Sequence, residues 1–316
     1  MTRKLSVAAL ALIAWVTGSV LGAGSPIGVD RASAAPLFQI GKAHAGYTPV
    51  LDGSEPIFIL IIGSDARPGQ AVSEQRADSL HVLAINPAKG KASILGIPRD
   101  SYVPIPGHGT NKINTGLFYG GPELEVQTIE DLTGITIDYW VLTGFDGFIQ
   151  MINDIGGFEF DVPFDLPGEG LRSFSRGVQH IDGKDALSFA RNRHALPMGD
   201  FGRSENQGRL MIGLLSQFRK EFAKDPGRVF TWLGAGLRHL ETDIPLPELL
   251  ALAFTTTEIN PRHVVNAVAP GSTGMAGSAS VVNLSPQAET IYRDMANDGL
   301  IGKKNIPPSP NASLLH

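Results

Sequence analysis

The run Ile57-Phe58-Ile59-Leu60-Ile61-Ile62 constrains the fold more than any other stretch of the chain. It is bounded by Pro56 and Gly63, has the length of a strand, and offers no polar face to water. Such a strand has to be covered on both sides, which places it inside a sheet with helices packed against each face. Leu80–Ile85 and Ser93–Ile97 are two further β-type runs, and Asn86-Pro87-Ala88-Lys89-Gly90-Lys91 between them reads as the turn of a hairpin.

Helical spacing over Pro122–Leu132 stops before Gly134, a C-terminal signal, and Ile135, Ile137, Tyr139 and Val141 then alternate as in a strand. Further helices are expected over Gly147–Ile155, Gly183–Arg191, Ser204–Ala223, Val229–Leu240, Pro247–Thr255 and Ser285–Asn297. Strands are expected over Phe158–Val162 and His263–Val268, and a glycine-rich loop follows the second. Strands and helices mixed along one continuous region predict a single α/β domain over residues 55–303, with helices on both faces of its sheet. The tail, residues 304–316, contains three prolines and is expected to be disordered.

The N-terminus points to export. Arg3 and Lys4 precede an apolar run from Leu5 to about Gly24, and ~20 apolar residues match the hydrocarbon thickness of a bilayer. Residues 1–24 therefore read as a membrane anchor with its N-terminus inside. A cleaved signal peptide is the alternative, because Ala32-Ser33-Ala34 resembles a small-residue cleavage site. Residues 25–54, rich in Gly, Ala, Ser and Pro, read as a flexible linker. Either reading puts the folded region outside the cytoplasm.

A net charge of -5 gives nothing global to attract nucleic acid, so any bound anion must be met by a local cluster of cations. The absence of cysteine excludes disulfides, thiolate metal sites and cysteine nucleophiles together. The 8 histidines show no metal-ligand spacing, which leaves a hard cation held by carboxylates.

The hairpin supplies such a cluster. Arg76 and Asp78 fall just before its first strand, and Arg99-Asp100 just after its second, so all meet at its open end. Asp65 and Arg67 follow the C-terminal end of the first apolar strand. If that strand runs parallel to Ser93–Ile97, these groups share one sheet edge, where α/β folds place ligands. Arginine forks grip phosphate oxygens, and paired carboxylates hold Mg2+ against them. Surface ion pairing is the competing reading of any one of these residues. A second basic group lies at Arg191-Asn192-Arg193-His194, followed by Gly199-Asp200-Phe201-Gly202-Arg203 and Gln207. Arg203 is expected to open a helix, with Gln207 one turn on and facing the same ligand. Solvated helix ends are the alternative there.

In this order, Gly63-Ser64-Asp65-Ala66-Arg67, Arg76-Ala77-Asp78-Ser79, Ile97-Pro98-Arg99-Asp100-Ser101-Tyr102-Val103, Asn111-Lys112-Ile113-Asn114, Arg191-Asn192-Arg193 and Gly199-Asp200-Phe201-Gly202-Arg203 resemble the LytR–CpsA–Psr family. The resemblance runs from about residue 55 to about residue 225, and more weakly beyond. It implies a mixed central sheet flanked by helices, with an apolar groove for a polyprenyl chain. It also implies a membrane-anchored, Gram-positive phosphotransferase that moves a glycopolymer from a polyprenyl diphosphate carrier to peptidoglycan. The cofactor implied is Mg2+, with Mn2+ as a substitute.

Carried over residue by residue, Asp65 and Asp78 would hold the metal. Arg76, Arg99, Arg191, Arg193, Arg203 and Gln207 would contact the diphosphate, with Lys112 nearby. Asp65, Arg76, Asp78, Arg99 and Asp100 form the expected catalytic set, Asp78 and Asp100 being the candidate bases. Teichoic acid, capsule, arabinogalactan-type glycan and a glycosylated protein are all compatible with the resemblance as the polymer transferred. A polyprenyl diphosphate hydrolase and a non-catalytic wall-binding module are the alternative functions. One departure stands out: many relatives carry Arg directly before the glutamine matching Gln207, where this chain has Asn206 preceded by Glu205.

Overall fold

The computed structural model describes residues 55–67, 69–168 and 170–315; the expected anchor and linker lie outside the described residues. In chain order the first elements are β1 (Ile57–Ser64), β2 (Ala77–Asn86), β3 (Lys91–Gly96), β4 (Tyr102–Ile105), β5 (Gly109–Lys112) and α1 (Thr115–Thr133). Next come β6 (Tyr139–Thr143), α2 (Phe145–Asp154), β7 (Phe158–Val162), β8 (Gly177–Ile181), α3 (Gly183–Arg191) and α4 (Asp200–Lys224). The last are α5 (Arg228–His239), β9 (Glu241–Thr242), α6 (Leu246–Glu258), β10 (Val264–Val268), β11 (Gly271–Ala276), β12 (Ala279–Leu284) and α7 (Pro286–Asp298).

The doubly apolar run becomes β1, an interior strand of a six-stranded sheet ordered β10-β3-β2-β1-β6-β9. Its pairing is antiparallel to β2 and parallel to β6, while β3 is antiparallel to β2 and parallel to β10. The sheet is therefore mixed, and β1, β3, β6 and β10 all point the same way. Leu60 and Ile62 face a core completed by Leu117 and Ile129 of α1 and by Ile291 and Met295 of α7. On the other face Ile57 and Ile59 pack with Leu215 of α4 and Leu252 of α6. Each such fully buried aliphatic side chain contributes about 1.5–3 kcal/mol, which is why β1 has no polar residue before its last turn-side positions. Gly134 ends α1 at φ +67°, its N–H closing on the Glu130 carbonyl, a conformation that glycine adopts without strain.

A third core lies outside the sheet. The β7–β8 hairpin brings Phe158 and Phe160 against Phe189 of α3 and Leu210 of α4. No helix among the described residues is long and apolar enough to cross a membrane.

Three expectations are corrected. The glycine-rich loop after β10 is the antiparallel β11–β12 hairpin. Arg203 does not open its helix: α4 begins at Asp200. The tail after Lys304 is not disordered over its described residues, because Asn311 is fully buried and Leu314 and Leu315 pack on the β7–β8 core. Asn311 is tied to α4 by its backbone N–H, which donates to Glu205, and by its Nδ2, which donates to the Gly202 carbonyl.

Candidate active site at the carboxyl edge of the sheet

β1, β3 and β6 end at one edge, and β1 separates an antiparallel neighbour from a parallel one. Asp78 enters this edge through a bulge. Gly63 pairs with Ser79 and Ser64 with Ala77, so Asp78 is the extra residue of β2 and not, as the spacing predicts, a residue before it. A bulge re-aims a side chain out of the regular alternation. Here the carboxylate is nearly buried, at 8% exposure.

Arg99 and Asp100 follow β3 and are held by backbone hydrogen bonds. Asn114 N–H donates to the Arg99 carbonyl at 3.2 Å, and Val282 N–H to the Asp100 carbonyl at 2.8 Å. Arg99 Nη1 then donates to Asp78 Oδ1, and its Nε lies 3.8 Å from Asp200 and 4.0 Å from Asp100. Burial alone would lower the Arg99 pKa. The carboxylates of Asp78, Asp200 and Asp100 outweigh it and hold the guanidinium above its ordinary value.

Helix α4 supplies the opposite wall. Arg203 Nη1 lies 3.4 Å from Asp78 Oδ1, and its Nη2 lies 3.3 Å from Asp200 Oδ1. Burial lowers the pKa of this guanidinium, only partly countered by Asp78 and Asp200, and Arg99 and Arg193 lower it further. Arg193 Nη1 is 3.5 Å from Asp200, and Lys112 Nζ is 3.2 Å from Asp100. Four cations thus share three carboxylates in one contiguous cluster. An anion arriving there would compete with the pairs to Asp100 and Asp200, which are 3.2–4.0 Å long, and could replace them with direct phosphate contacts.

An apolar cavity opens beside the cluster. Ile62, Phe145, Phe148, Leu187, Met211 and Leu214 line it, while Asp78, Arg191 and Gln207 stand at its polar side. The helices expected over Gly147–Ile155 and Ser204–Ala223 thus line a groove as well as packing core. Arg191 lies over the Phe145 ring at 4.6 Å and Arg67 at 5.8 Å, so two cations flank the aromatic group beside the cavity. Gln207 Nε2 donates to the Ala190 carbonyl at 3.2 Å, which fixes its amide between α3 and α4.

The structure therefore joins Asp78, Arg99, Asp100, Lys112, Arg193 and Arg203 by ion pairs, and places Arg191 and Gln207 on the adjoining cavity. Asp65 and Arg76 stand apart from that network. They are joined by a backbone hydrogen bond from Asp65 N–H to the Arg76 carbonyl at 3.0 Å. Their side chains make no ion pair among the described residues, and Arg76 is exposed.

Three contributors have no role assigned to them in the sequence, although Asp200 lies within one of the blocks that carry the family resemblance. Asp200 is the hub for Arg99, Arg193 and Arg203, yet in sequence it is one acid at a helix start. Phe145 looks like any core aromatic. His81 is fully buried between Ser79 Oγ, 3.1 Å from Nδ1, and the Ser204 carbonyl, 3.0 Å from Nε2. The carbonyl can only accept, so Nε2 carries the proton and Nδ1 accepts from Ser79. Burial pushes this imidazole down to about 4, against a smaller opposing effect of the Ser204 carbonyl. His81 thereby ties the strand bearing Asp78 to the helix bearing Arg203.

Known proteins share this arrangement of elements. The model of the LytR_cpsA_psr family matches residues 35–296. TagV of Bacillus subtilis (strain 168), a polyisoprenyl-teichoic acid–peptidoglycan teichoic acid transferase, is 32% identical over 250 residues, covering 76% of this chain and 63% of the relative. TagU of Bacillus anthracis (strain CDC 684 / NRRL 3495), a transferase of the same name, is 34% identical over 165 residues, covering 52% of this chain and 53% of the relative. The chain thus spans less than two thirds of the length of either relative. The crystal structure of B. subtilis TagV matches with a TM-score of 0.65 at 29% identity, over 77% of this chain and 96% of that one. With the family model covering residues 35–296, the chain belongs to the LytR_cpsA_psr family.

Proposed function

We propose that the protein transfers a glycopolymer from a polyprenyl diphosphate carrier to a peptidoglycan hydroxyl, forming a phosphodiester. The observation that carries this reading is the junction of a cationic cluster with an apolar cavity, which share Asp78 and adjoin at Arg191 and Gln207. A polyprenyl diphosphate has the same two halves, an anionic head and an apolar tail. The transferase activity named for the TagV and TagU relatives supports the reading further.

The chemistry assigned to these residues balances as follows. The acceptor hydroxyl oxygen bonds to the phosphorus next to the glycan, and the bond from that phosphorus to the bridging oxygen breaks. Polyprenyl phosphate leaves with the electron pair. Arg99, Arg191, Arg193 and Arg203 would offset the charge gathering on the diphosphate and its leaving group, with Lys112 and Arg76 at the rim. Asp78 would be committed to the metal cation as well as to two guanidinium groups, whereas Asp100 is paired with Lys112 at 3.2 Å and only at 4.0 Å with Arg99, which leaves Asp100 to accept the hydroxyl proton.

The donor set suits a hard cation. Two carboxylates, Asp65 and Asp78, stand at adjoining strand ends, and that of Asp65 is uncommitted among the described residues. Among those residues no group of three or more metal-ligating side chains occurs. Mg2+ is bound in phosphate enzymes through one or two carboxylates, with water and phosphate oxygens completing its shell, and Mn2+ accepts similar ligands. Asp65 and Asp78 would hold the ion, which would supply charge neutralisation at the phosphate oxygens. In the cell, the apolar run from Leu5 would anchor this domain on the outer side of the membrane.

Arg99→Ala and Asp65→Ala, purified as folded proteins, test the assignment. Both are expected to lose transfer from a polyprenyl diphosphate-linked saccharide. Normal transfer by both would remove these residues from the site.

A further inference from the structure

Residues 201–208 of α4, Phe-Gly-Arg-Ser-Glu-Asn-Gln-Gly, are all buried although Arg203, Ser204, Glu205, Asn206 and Gln207 are polar. A helix segment enclosed on every side needs a partner for each of those groups. The 3.6-residue period divides them between two opposite faces. Asp200, Arg203, Ser204 and Gln207 look towards the cation cluster, His81 and the Ala190 carbonyl. Gly202, Glu205, Asn206 and Arg209 look the other way.

That second face is covered by a segment about a hundred residues later in the chain. Ser309 Oγ lies 2.7 Å and 2.8 Å from the two carboxylate oxygens of Glu205, and Asn311 N–H donates to the same carboxylate at 3.2 Å. Asn311 Nδ2 donates to the Gly202 carbonyl at 3.0 Å and to Asn206 Oδ1 at 3.2 Å. Arg209 completes the Glu205 carboxylate at 2.8 Å. The approach is close: a Cβ on Gly202 would stand 2.4 Å from Asn311 Oδ1, so any larger residue there would have to displace the Asn311 amide. Asn206, the place where the family resemblance expects arginine, thus faces Asn311 and not the cation cluster.

We propose that residues 309–311 are a positioning strap for α4. They touch none of the candidate substrate groups. They clamp the back of the first turns of the helix, so that Asp200, Arg203 and Gln207 keep their register against Asp78 and the cavity. Glu205 and Asn206 are the sockets of the strap, which gives the departure from the family pattern a structural role. The strap itself is independent of the ligand; its effect on diphosphate binding rests on the function proposed above.

Ser309→Ala removes one socket bond from a half-buried loop position, and Asn311→Ala removes the larger part of the strap. Amide hydrogen exchange is read at residues 201–208 and at β1–β3, and binding of farnesyl diphosphate by calorimetry. Loss of a charge-assisted bond predicts exchange about tenfold faster in residues 201–208 alone, and farnesyl diphosphate affinity about tenfold weaker. Ser309→Thr, which keeps the hydroxyl, should restore both. Unchanged exchange at residues 201–208 in both alanine variants overturns the strap. Faster exchange with unchanged affinity overturns its positioning role. If the unaltered protein does not bind farnesyl diphosphate, the transferase reading fails, and the exchange result decides the strap by itself.

Discussion

Arg203 and Asp78 meet across the junction of helix α4 and strand β2, with Nη1 3.4 Å from Oδ1 and side-chain exposures of 6% and 8%. A pair this deep is held by what surrounds it. Asp78 is delivered by a bulge, Arg203 by a helix fixed on one side through His81 and on the other through Asn311. Cutting one partner leaves the other as a buried, under-compensated charge.

Arg203→Met should therefore destabilise the fold by about 3 kcal/mol, as breaking a buried pair does. Arg193→Met should cost about 0.5 kcal/mol or less, since an exposed ion pair contributes little and Arg193 is 40% exposed. Urea unfolding of the two variants checks the contrast. Equal losses would mean that burial of Arg203 carries no special weight.

His81 makes stability fall in acid. Its folded pKa near 4 lies below the unfolded 6.5, so the native state resists protonation. The contribution is complete above pH 6.5 and is lost as pH falls through 4, amounting to about 3 kcal/mol. His81→Gln should flatten the unfolding midpoint between those pH values. An unchanged slope would place the acid sensitivity elsewhere.

Glu125 works in the opposite direction. It is fully buried under the kink that Gly120 and Gly121 put into α1, and its Oε2 accepts from Leu117 N–H at 2.6 Å. Burial raises its pKa from 4.5 to about 8, partly offset by that hydrogen bond. A raised pKa means stability complete below pH 4.5 and lost as pH rises through 8. Relative to the unaltered protein, Glu125→Gln should gain on the order of 4 kcal/mol between pH 5 and pH 9. Thermal unfolding at the two pH values measures the gain; no pH dependence of the difference would show that this carboxyl is not held neutral.

The cavity predicts a length effect. Met211→Trp, which fills space between α4 and β1, should weaken binding of a long polyprenyl diphosphate at least tenfold while leaving inorganic diphosphate unaffected. Competition binding with the two ligands reads this directly. Equal effects on both would separate the cavity from the tail.

Much of this architecture was legible in the residues. The run Ile57–Ile62 announces an interior strand because burial on both faces forces an unbroken apolar sequence, and the Asn86–Lys91 turn announces the hairpin that gathers Asp78 and Arg99. β11 and β12 are not legible in the residues, because a small hairpin with exposed residues such as Ser272, Thr273 and Met275 has no apolar alternation to read. The cation cluster was legible as residue types, but Asp200 was not legible as its hub, since spatial sharing among Arg99, Arg193 and Arg203 leaves no local pattern. The strap was hidden for a related reason. Pro307, Pro308 and Pro310 signal disorder when the chain is read locally, and what orders them is the Glu205 carboxylate about a hundred residues earlier.

The central claim is that one edge of this sheet holds a polyprenyl diphosphate and directs a sugar hydroxyl onto it. Product analysis decides it most directly, with purified protein, a polyprenyl diphosphate-linked saccharide, Mg2+, and peptidoglycan either present or omitted. The account predicts polyprenyl monophosphate together with saccharide joined to peptidoglycan through a phosphodiester, both dependent on the acceptor. Monophosphate released equally without peptidoglycan, with free saccharide phosphate as the second product, would contradict it and make the protein a hydrolase.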